Sequence, residues 1–564
     1  MGWGIELRKT NLGCRPCCLK GKAISPPPEA RGGGESHVVE EPSTPGNRMH
    51  ENRETSTSTA AGQSGSGSGQ TAKLSVNGGE ESESAEVPMK EPNEGKPEEA
   101  LEGRADAKEN RDEPRTNLTQ GKATVSPGLV AVRQRARERR AEKFTNLLHH
   151  VTIDLLYASY YALQRKSAAG VDGVTWKEYE TGLESRLNDL HSRVHRGAYR
   201  AQPSRRIYLP KPDGRQRPIG IAALEDKIVQ QAVVTILNEI YEVDFRGFSY
   251  GFRPGRHAHQ ALDALSVGIA RRHVNWILDA DIQGFFDMLN HEWLVRFLEH
   301  RVTDSRLLRL IQKWLKAGVS EDGAWSESML GTPQGAVISP LLANVYLHYV
   351  FDLWVEAWRS KIAGGDMIFV RYADDLVVGF EHQADAERFL EEFQERLAKF
   401  GLTVHPEKTR LIEFGKYARG QWKKRGVGEP ETFAFLGFTH ACDVTRAGGF
   451  KLKRTTVRKR MEAKLQELKL SLRERMHDAV AVTGNWLRQV LAGYSQYHAI
   501  PGNLVALKRF RERIQQYWRR SLRRRSQGRP PKEAKLARLF TRWLPRPQTL
   551  HPYPSVRFDA RYPR

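Results

Sequence analysis

The stretch FVRYADDLVVGF, residues 369–380, decides the reading of this chain. Two apolar, β-prone runs flank an adjacent pair of acids, Asp374 and Asp375. The pattern reads as two strands meeting in a tight turn, with both carboxylates at its tip. An Asp-Asp pair alone is ordinary turn chemistry, because Asp tolerates turn backbone. A third acid changes the balance: LDADIQGFF, residues 278–286, ends another apolar run on Asp281. If the two runs are neighbours in one sheet, Asp281 and Asp374 converge from positions 93 residues apart. Converging carboxylates repel, and one would hold a proton unless a cation neutralises them. Oxygen donors suit Mg2+, and two such ions about 3.5–4 Å apart serve in-line phosphoryl displacement. The expectation is a metal platform at a hairpin tip.

Outward from this stretch, strands and helices alternate. RRIYLPKPDGRQRPIGI (205–221) reads as strand, Pro-Asp-Gly turn, strand. LEDKIVQQAVVTILNEIYEVDF (224–245) reads as an amphipathic helix, and residues 275–294 as a strand passing into a helix near Phe285. GTPQGAVISPLLANVYLHYVFDLWVEAW (331–358) predicts a buried helix, with Ser339 as N-cap and Pro340 at its first position. Residues 385–400 put Phe389, Leu390, Phe393, Leu397 and Phe400 on one helix face. Residues 401–415 and 431–440 read as further strands. Upstream, residues 130–166 have helical spacing until the glycines of GVDGVTW (170–176). From about Thr455 the chain reads as helical and basic. The class is α+β, followed by a helical domain.

The first 125 residues are rich in Gly, Ser, Pro and Glu and are expected to be disordered. Residues 126–564 hold 73 of the 89 basic and 47 of the 67 acidic residues, a net +26. That surplus favours a polyanionic partner, nucleic acid first and an anionic membrane second. No run is long and apolar enough for a transmembrane helix, and the N-terminus has no convincing apolar signal core. The expected location is therefore the cytoplasm. Cys14, Cys17 and Cys18 lack a second ligand pair nearby for zinc.

YADD, with DADIQGFFD, GTPQGAVISPLLANVYL, PKPDGRQRPIGI, EKT and FLGF, resembles the ordered blocks of a reverse transcriptase. With GVDGVTW upstream and a basic tail ending in HPYPSVRF, the chain is similar to a bacterial group II intron reverse transcriptase/maturase over about residues 140–560. The resemblance implies a right-hand polymerase with a ferredoxin-like antiparallel palm sheet. Fingers and palm would span 126–450, and a helical thumb and maturase (X) domain 451–564. It implies two Mg2+ ions held by Asp281 and Asp374, with Asp375 completing the triad and the Ile282 backbone facing the second ion. Phe286 would be a steric gate against the ribose 2′-hydroxyl, unless it is a core aromatic. Gln334 would line the nucleotide pocket, unless it serves only its turn. Lys211 and Arg217 would hold the triphosphate, unless they are solvated hairpin charges. Lys408 would protonate the leaving pyrophosphate. FLGF would grip the primer, a role compatible with a place in the core.

Residues 501–564 carry 18 basic and 3 acidic residues. Arg519, Arg520, Arg523, Arg524 and Arg525, interleaved with Tyr517 and Trp518, suit phosphate contact and base stacking. The implied partners are group II intron RNA, an RNA template with a DNA primer, dNTPs and target DNA, with no membrane, in a bacterial, nucleoid-associated setting. The Cys/His-rich endonuclease domain of many relatives is missing from the pattern, so no endonuclease activity is expected. Two other readings stand beside this one. One is a domesticated or defence-associated reverse transcriptase, to which the VTG at 482–484 points weakly. The other is an RNA-binding splicing factor with an inert polymerase site, against which the intact acid triad argues.

Overall fold

The computed structural model describes residues 126–210, 216–321, 324–326, 330–426, 428–525 and 531–562, all within the compact unit Glu98–Arg564. The extension expected to be disordered lies outside the described residues. The strands are β1 (Ser204–Pro210), β2 (Gln216–Ile221), β3 (Trp276–Asp281), β4 (Val319–Glu321), β5 (Ala324–Ser326), β6 (Met367–Tyr372), β7 (Asp375–Phe380), β8 (Arg410–Glu413), β9 (Phe433–Phe435), β10 (Phe438–Val444) and β11 (Phe450–Thr456). They form three sheets, ordered β2-β1-β4-β5, β6-β7-β3-β8 and β11-β10-β9.

The second sheet is antiparallel throughout and carries the quoted hairpin. Period-two alternation divides its residues between two cores. Leu278, Ala280, Leu376, Val378 and Phe380 join the large core that contains Phe389, Phe393 and Leu397 of the helix Gln383–Ala398. Ile277, Val370, Val377 and Ile412 join a second core with the helix Ala258–Arg271 and with Phe433, Phe435 and Phe438. The sheet is thus covered on both faces.

Three expectations are corrected. The continuous N-terminal helix is instead Pro127–Glu138, a 3₁₀ turn and Ile153–Ala162. Tertiary contacts capture the segment between: Arg301 donates to the carbonyls of Arg139, Arg140 and Glu142, and Asp304 accepts from the Leu147 and Leu148 amides. The helix Leu224–Asp244 is buried on nearly every side, with Asp226, Lys227, Gln230 and Glu239 among its buried residues, so it is a core helix and not a surface one. Ser339 is the first residue inside its helix, not the cap, and its hydroxyl bonds Thr332 Oγ1 and Pro333 O. That helix runs on through a π turn, His348–Asp352, into Leu353–Lys361.

The division expected at residue 450 falls inside the β10–β11 hairpin. A third core begins only with the helix Arg458–Glu474, which packs with Val480–His498, Leu504–Arg523 and Glu533–Trp543. The VTG triplet belongs to this packing: a Cβ on Gly484 would stand 2.6 Å from the Trp543 ring. The helix Pro554–Arg561 then returns to the helix Ala258–Arg271. Arg271 binds Asp559 in a two-bond fork, and buried Asp263 lies between Arg454 and Arg557.

The same joint gathers histidines. His259 Nε2 donates to Tyr497 O at 2.8 Å and its ring stacks on His551, whose Nε2 donates to Gln496 O. Burial pushes His259 and His498 down to about 4, and lowers His551 as well. These rings are neutral when folded but protonate near 6.5 in the unfolded chain. Stability is therefore complete above pH 6.5 and falls as the pH drops toward 4, by up to about 3 kcal/mol each for His259 and His498. Hydrogen exchange should show Val480–His498 and Pro554–Arg561 opening more readily at pH 5 than at pH 7.5, relative to the central sheet. His259→Gln should remove its share of that pH dependence.

Candidate active site

β3 and β7 pair so that Asp281 stands directly opposite Asp375, while Tyr372 closes the hairpin against Asp375. Asp374 occupies the two-residue turn between them. The three acids singled out in the sequence therefore meet at one end of one sheet. Directly opposed like charges are destabilising in a sheet, and here there is a fourth acid. Asp279 shares the strand face of Asp281, two residues earlier. Burial first, then the Asp375 and Asp281 carboxylates, push it up to about 7 against the opposing pull of Arg410. Sequence reading missed Asp279, although the period of two that placed Asp281 also places it.

Lys408 reaches this cluster, its Nζ 2.5 Å from Asp281 Oδ2, and Arg410 lies 3.7 Å from Asp279. Ile282 bridges to Val404 through bonds made by its neighbours: Gln283 N–H donates to Thr403 O, and His405 N–H to Asp281 O. This arrangement turns the Ile282 peptide groups toward the β7 side.

The turn is braced from behind. Ala373 has φ 57, a left-handed conformation that costs a non-glycine residue about 1–2 kcal/mol. Phe248 to Gly251 run alongside β6: Arg371 N–H donates to Phe248 O and Tyr250 N–H to Arg371 O, both at 2.9 Å. Gly251 faces the turn so closely that a Cβ there would fall on the Ala373 amide. Nothing in composition singled out this segment.

Beside the acids, Phe286 is half-buried and packs edge-on against Phe285. Its carbonyl accepts from Thr332 N–H at 2.8 Å, which joins the TPQG loop to the expected gate. Gln334 O accepts from Gly220 N–H in β2, and buried Gln230 accepts from the Val337 and Ile338 amides. Gly335, at φ 110, lets the loop approach: a Cβ there would lie 2.7 Å from Gly220 O. Phe286, Gln334 and β2, with Arg217 half-exposed, are thus gathered by backbone bonds. Lys211 lies outside the described residues. A separate trio, His273, Asp366 and Glu381, has ligand atoms within 4.8 Å of one another. It sits at the opposite end of the sheet, where Arg272 and the His273 amide already occupy Asp366.

The family model for reverse transcriptase (RNA-dependent DNA polymerase) matches residues 209–440, which include this whole site. Protein YkfC of Escherichia coli K12 is 34% identical over 270 residues, covering 42% of this chain and 70% of that protein. The group II intron-encoded protein LtrA of Lactococcus lactis is 35% identical over 237 residues, covering 41% of this chain and 39% of LtrA. The putative COX1/OXI3 intron 1 protein of Saccharomyces cerevisiae is 26% identical over 345 residues, 52% of this chain and 41% of that protein. The chain belongs to the group II intron reverse transcriptase family. Its reaction class is RNA-directed DNA polymerisation, and nucleic acid is its class of partner.

Other expected residues of this reverse transcriptase divide. In FLGF, Leu436 and Gly437 turn the β9–β10 hairpin with positive φ, while Phe435 and Phe438 are buried in the core. In the basic tail, Trp518 is 1% exposed and packs on Phe540, so it is a core residue and does not stack on bases. Truncating it would cost about 3–5 kcal/mol of packing. Tyr517 is half-buried beside the same core. Arg519 and Arg523 pair with Glu533, and Arg525 donates to the carbonyls of His477 and Asp478. Arg520 and Arg524 face solvent. No described helix is long and apolar enough to cross a membrane.

Proposed function

We propose that this sheet end is a two-metal nucleotidyl-transfer centre that copies RNA into DNA. The observation that carries the reading is the register of Asp281 against Asp375, with Asp374 in the turn between β6 and β7. The donor set fits the metal: the register brings the Asp281 and Asp375 carboxylates to one sheet end with Asp374 in the adjoining turn, and hard oxygen donors are what Mg2+ takes. Asp281 and Asp374 are the main ligands, with Asp375 less direct and the Ile282 carbonyl beside them. When bound, two Mg2+ ions neutralise this charge and supply Lewis-acid polarisation for in-line displacement.

The chain's own groups orient the reaction. A primer 3′-hydroxyl attacks the α-phosphate of a dNTP, and pyrophosphate leaves. Lys408 holds a proton at Nζ within reach of the acid cluster, which suits it to the leaving group. Arg217 contacts the triphosphate, and Lys211 shares that role. Phe286 excludes a 2′-hydroxyl, and Gln334 borders sugar and base in a loop tied to the gate. Most of the rate gain comes from positioning and preorganised charge.

In this reading the antiparallel sheet is the palm of a right hand. The helical domain from Arg458 is the thumb and maturase domain, and it assists folding of the intron RNA for splicing and mobility into target DNA. Arg520 and Arg524 are the tail arginines best exposed for phosphate. Replacing both by alanine should weaken RNA binding and flatten its log–log salt dependence by about 0.7–0.9 per arginine. Filter binding across a salt series checks this. The reading as a whole is tested by dNTP incorporation on an RNA template with Mg2+, comparing wild type with Asp374→Ala.

A further inference from the structure

Arg371, one residue before the YADD tetrad, is fully buried, as is Asp352. Its guanidinium uses four donor contacts. Nε and Nη2 fork onto Asp352 at 2.8 and 2.6 Å, while Nη1 donates to Asn344 Oδ1 at 2.9 Å and to Ala373 O at 3.2 Å. Asn344 Nδ2 in turn donates to Gly251 O at 2.8 Å, and Gly251 is the residue that touches the Ala373 amide. The circuit closes on one residue, Ala373, through the two peptides that flank it. Arg371 holds Ala373 by its carbonyl, and Gly251 bounds it at its nitrogen. The residue so gripped is at φ 57, and Asp374 follows it. The π turn His348–Asp352 ends on the carboxylate that anchors this arginine.

A buried arginine–carboxylate pair stabilises a fold little better than apolar residues of the same volume. What this pair adds is direction. A planar fork can meet Asp352, Asn344 and Ala373 together, and a point-like ammonium cannot. We propose that Arg371 is a positioning residue. It fixes the Ala373–Asp374 peptide and so presents the Asp374 carboxylate for metal binding. The inference rests on the reading of Asp374 as a metal ligand.

The test is Mn2+ binding by the full chain with primer–template, followed by electron paramagnetic resonance below the melting temperature, together with dNTP addition over a metal series. Arg371→Lys should weaken Mn2+ binding about tenfold and slow dNTP addition about 10–100-fold, with recovery at high metal and unchanged primer–template affinity. A role in stability alone would lower the melting temperature and leave the metal affinity of the folded protein untouched. Wild-type Mn2+ affinity in folded Arg371→Lys would therefore overturn the proposal. If Arg371→Lys does not fold, Gly251→Ala decides, because its Cβ presses on Ala373 from the preceding Tyr372–Ala373 peptide and spares the ion pair. A metal shift there supports the proposal, and wild-type affinity sinks it. Asp374→Ala, measured alongside, keeps the two claims apart: unchanged Mn2+ binding in that variant would overturn the metal-ligand reading itself.

Discussion

Asp374→Ala should reduce dNTP addition on an RNA template by at least about 10³-fold, since losing a metal ligand removes several kcal/mol of transition-state stabilisation. The size follows from where the residue sits. Asp375 is fixed by two strand pairings and Asp281 already shares its charge with Lys408, whereas Asp374 stands in the turn that joins β6 to β7. The loss should fall on kcat, with primer–template affinity nearly unchanged, because the carboxylate acts at the reacting phosphate and not on the duplex. The hairpin should survive, since both strands pair through residues outside the substitution. Single-turnover extension, with circular dichroism of both proteins, measures this. A folded Asp374→Ala protein that extends primers at the wild-type rate would remove the metal platform. The weight of function would then move to the arginines of the tail.

Phe286→Ala should raise ribonucleotide incorporation relative to deoxynucleotide by about 100-fold, in the range that one steric contact in a pocket controls. The ring is held for such a task. It leans on Phe285 on one side, and its carbonyl is tied to Thr332 on the other. Being half-buried, it costs the core less than Phe285 would, so the variant should fold. Competition between a dNTP and the matching rNTP on one template reads the ratio directly. A ratio unchanged in a folded variant would make Phe286 a packing residue only.

The acid end of the sheet was legible because two simple periodicities govern it. Alternation put Asp281 and the YADD acids at strand ends, and the apolar runs required both strands to be interior neighbours. Segments read from their own pattern failed where distant residues take part. The helix expected through residues 139–152 yields to Arg301 and Asp304, about 160 residues away in sequence. Trp518 sits among arginines in sequence but not in space, because a helix turns every fourth residue inward. Arg371 reads as a charge near an active site, yet it is buried, since its partners lie on a helix 19 and 27 residues earlier. Asp279 obeys the same alternation, two residues before Asp281 on the same strand face.

The return of Pro554–Arg561 onto Ala258–Arg271 has a mechanical meaning. A helical domain joined to a sheet only through β11 would swing like a door on one hinge. This one is bracketed: the chain leaves its sheet at β11 and is riveted by Arg557 and Asp559 to the helix Ala258–Arg271. Displacement of the four-helix body must therefore bend the bracket or lift the rivet, so its compliance is set as much by residues 554–561 as by the strand that first leads into it.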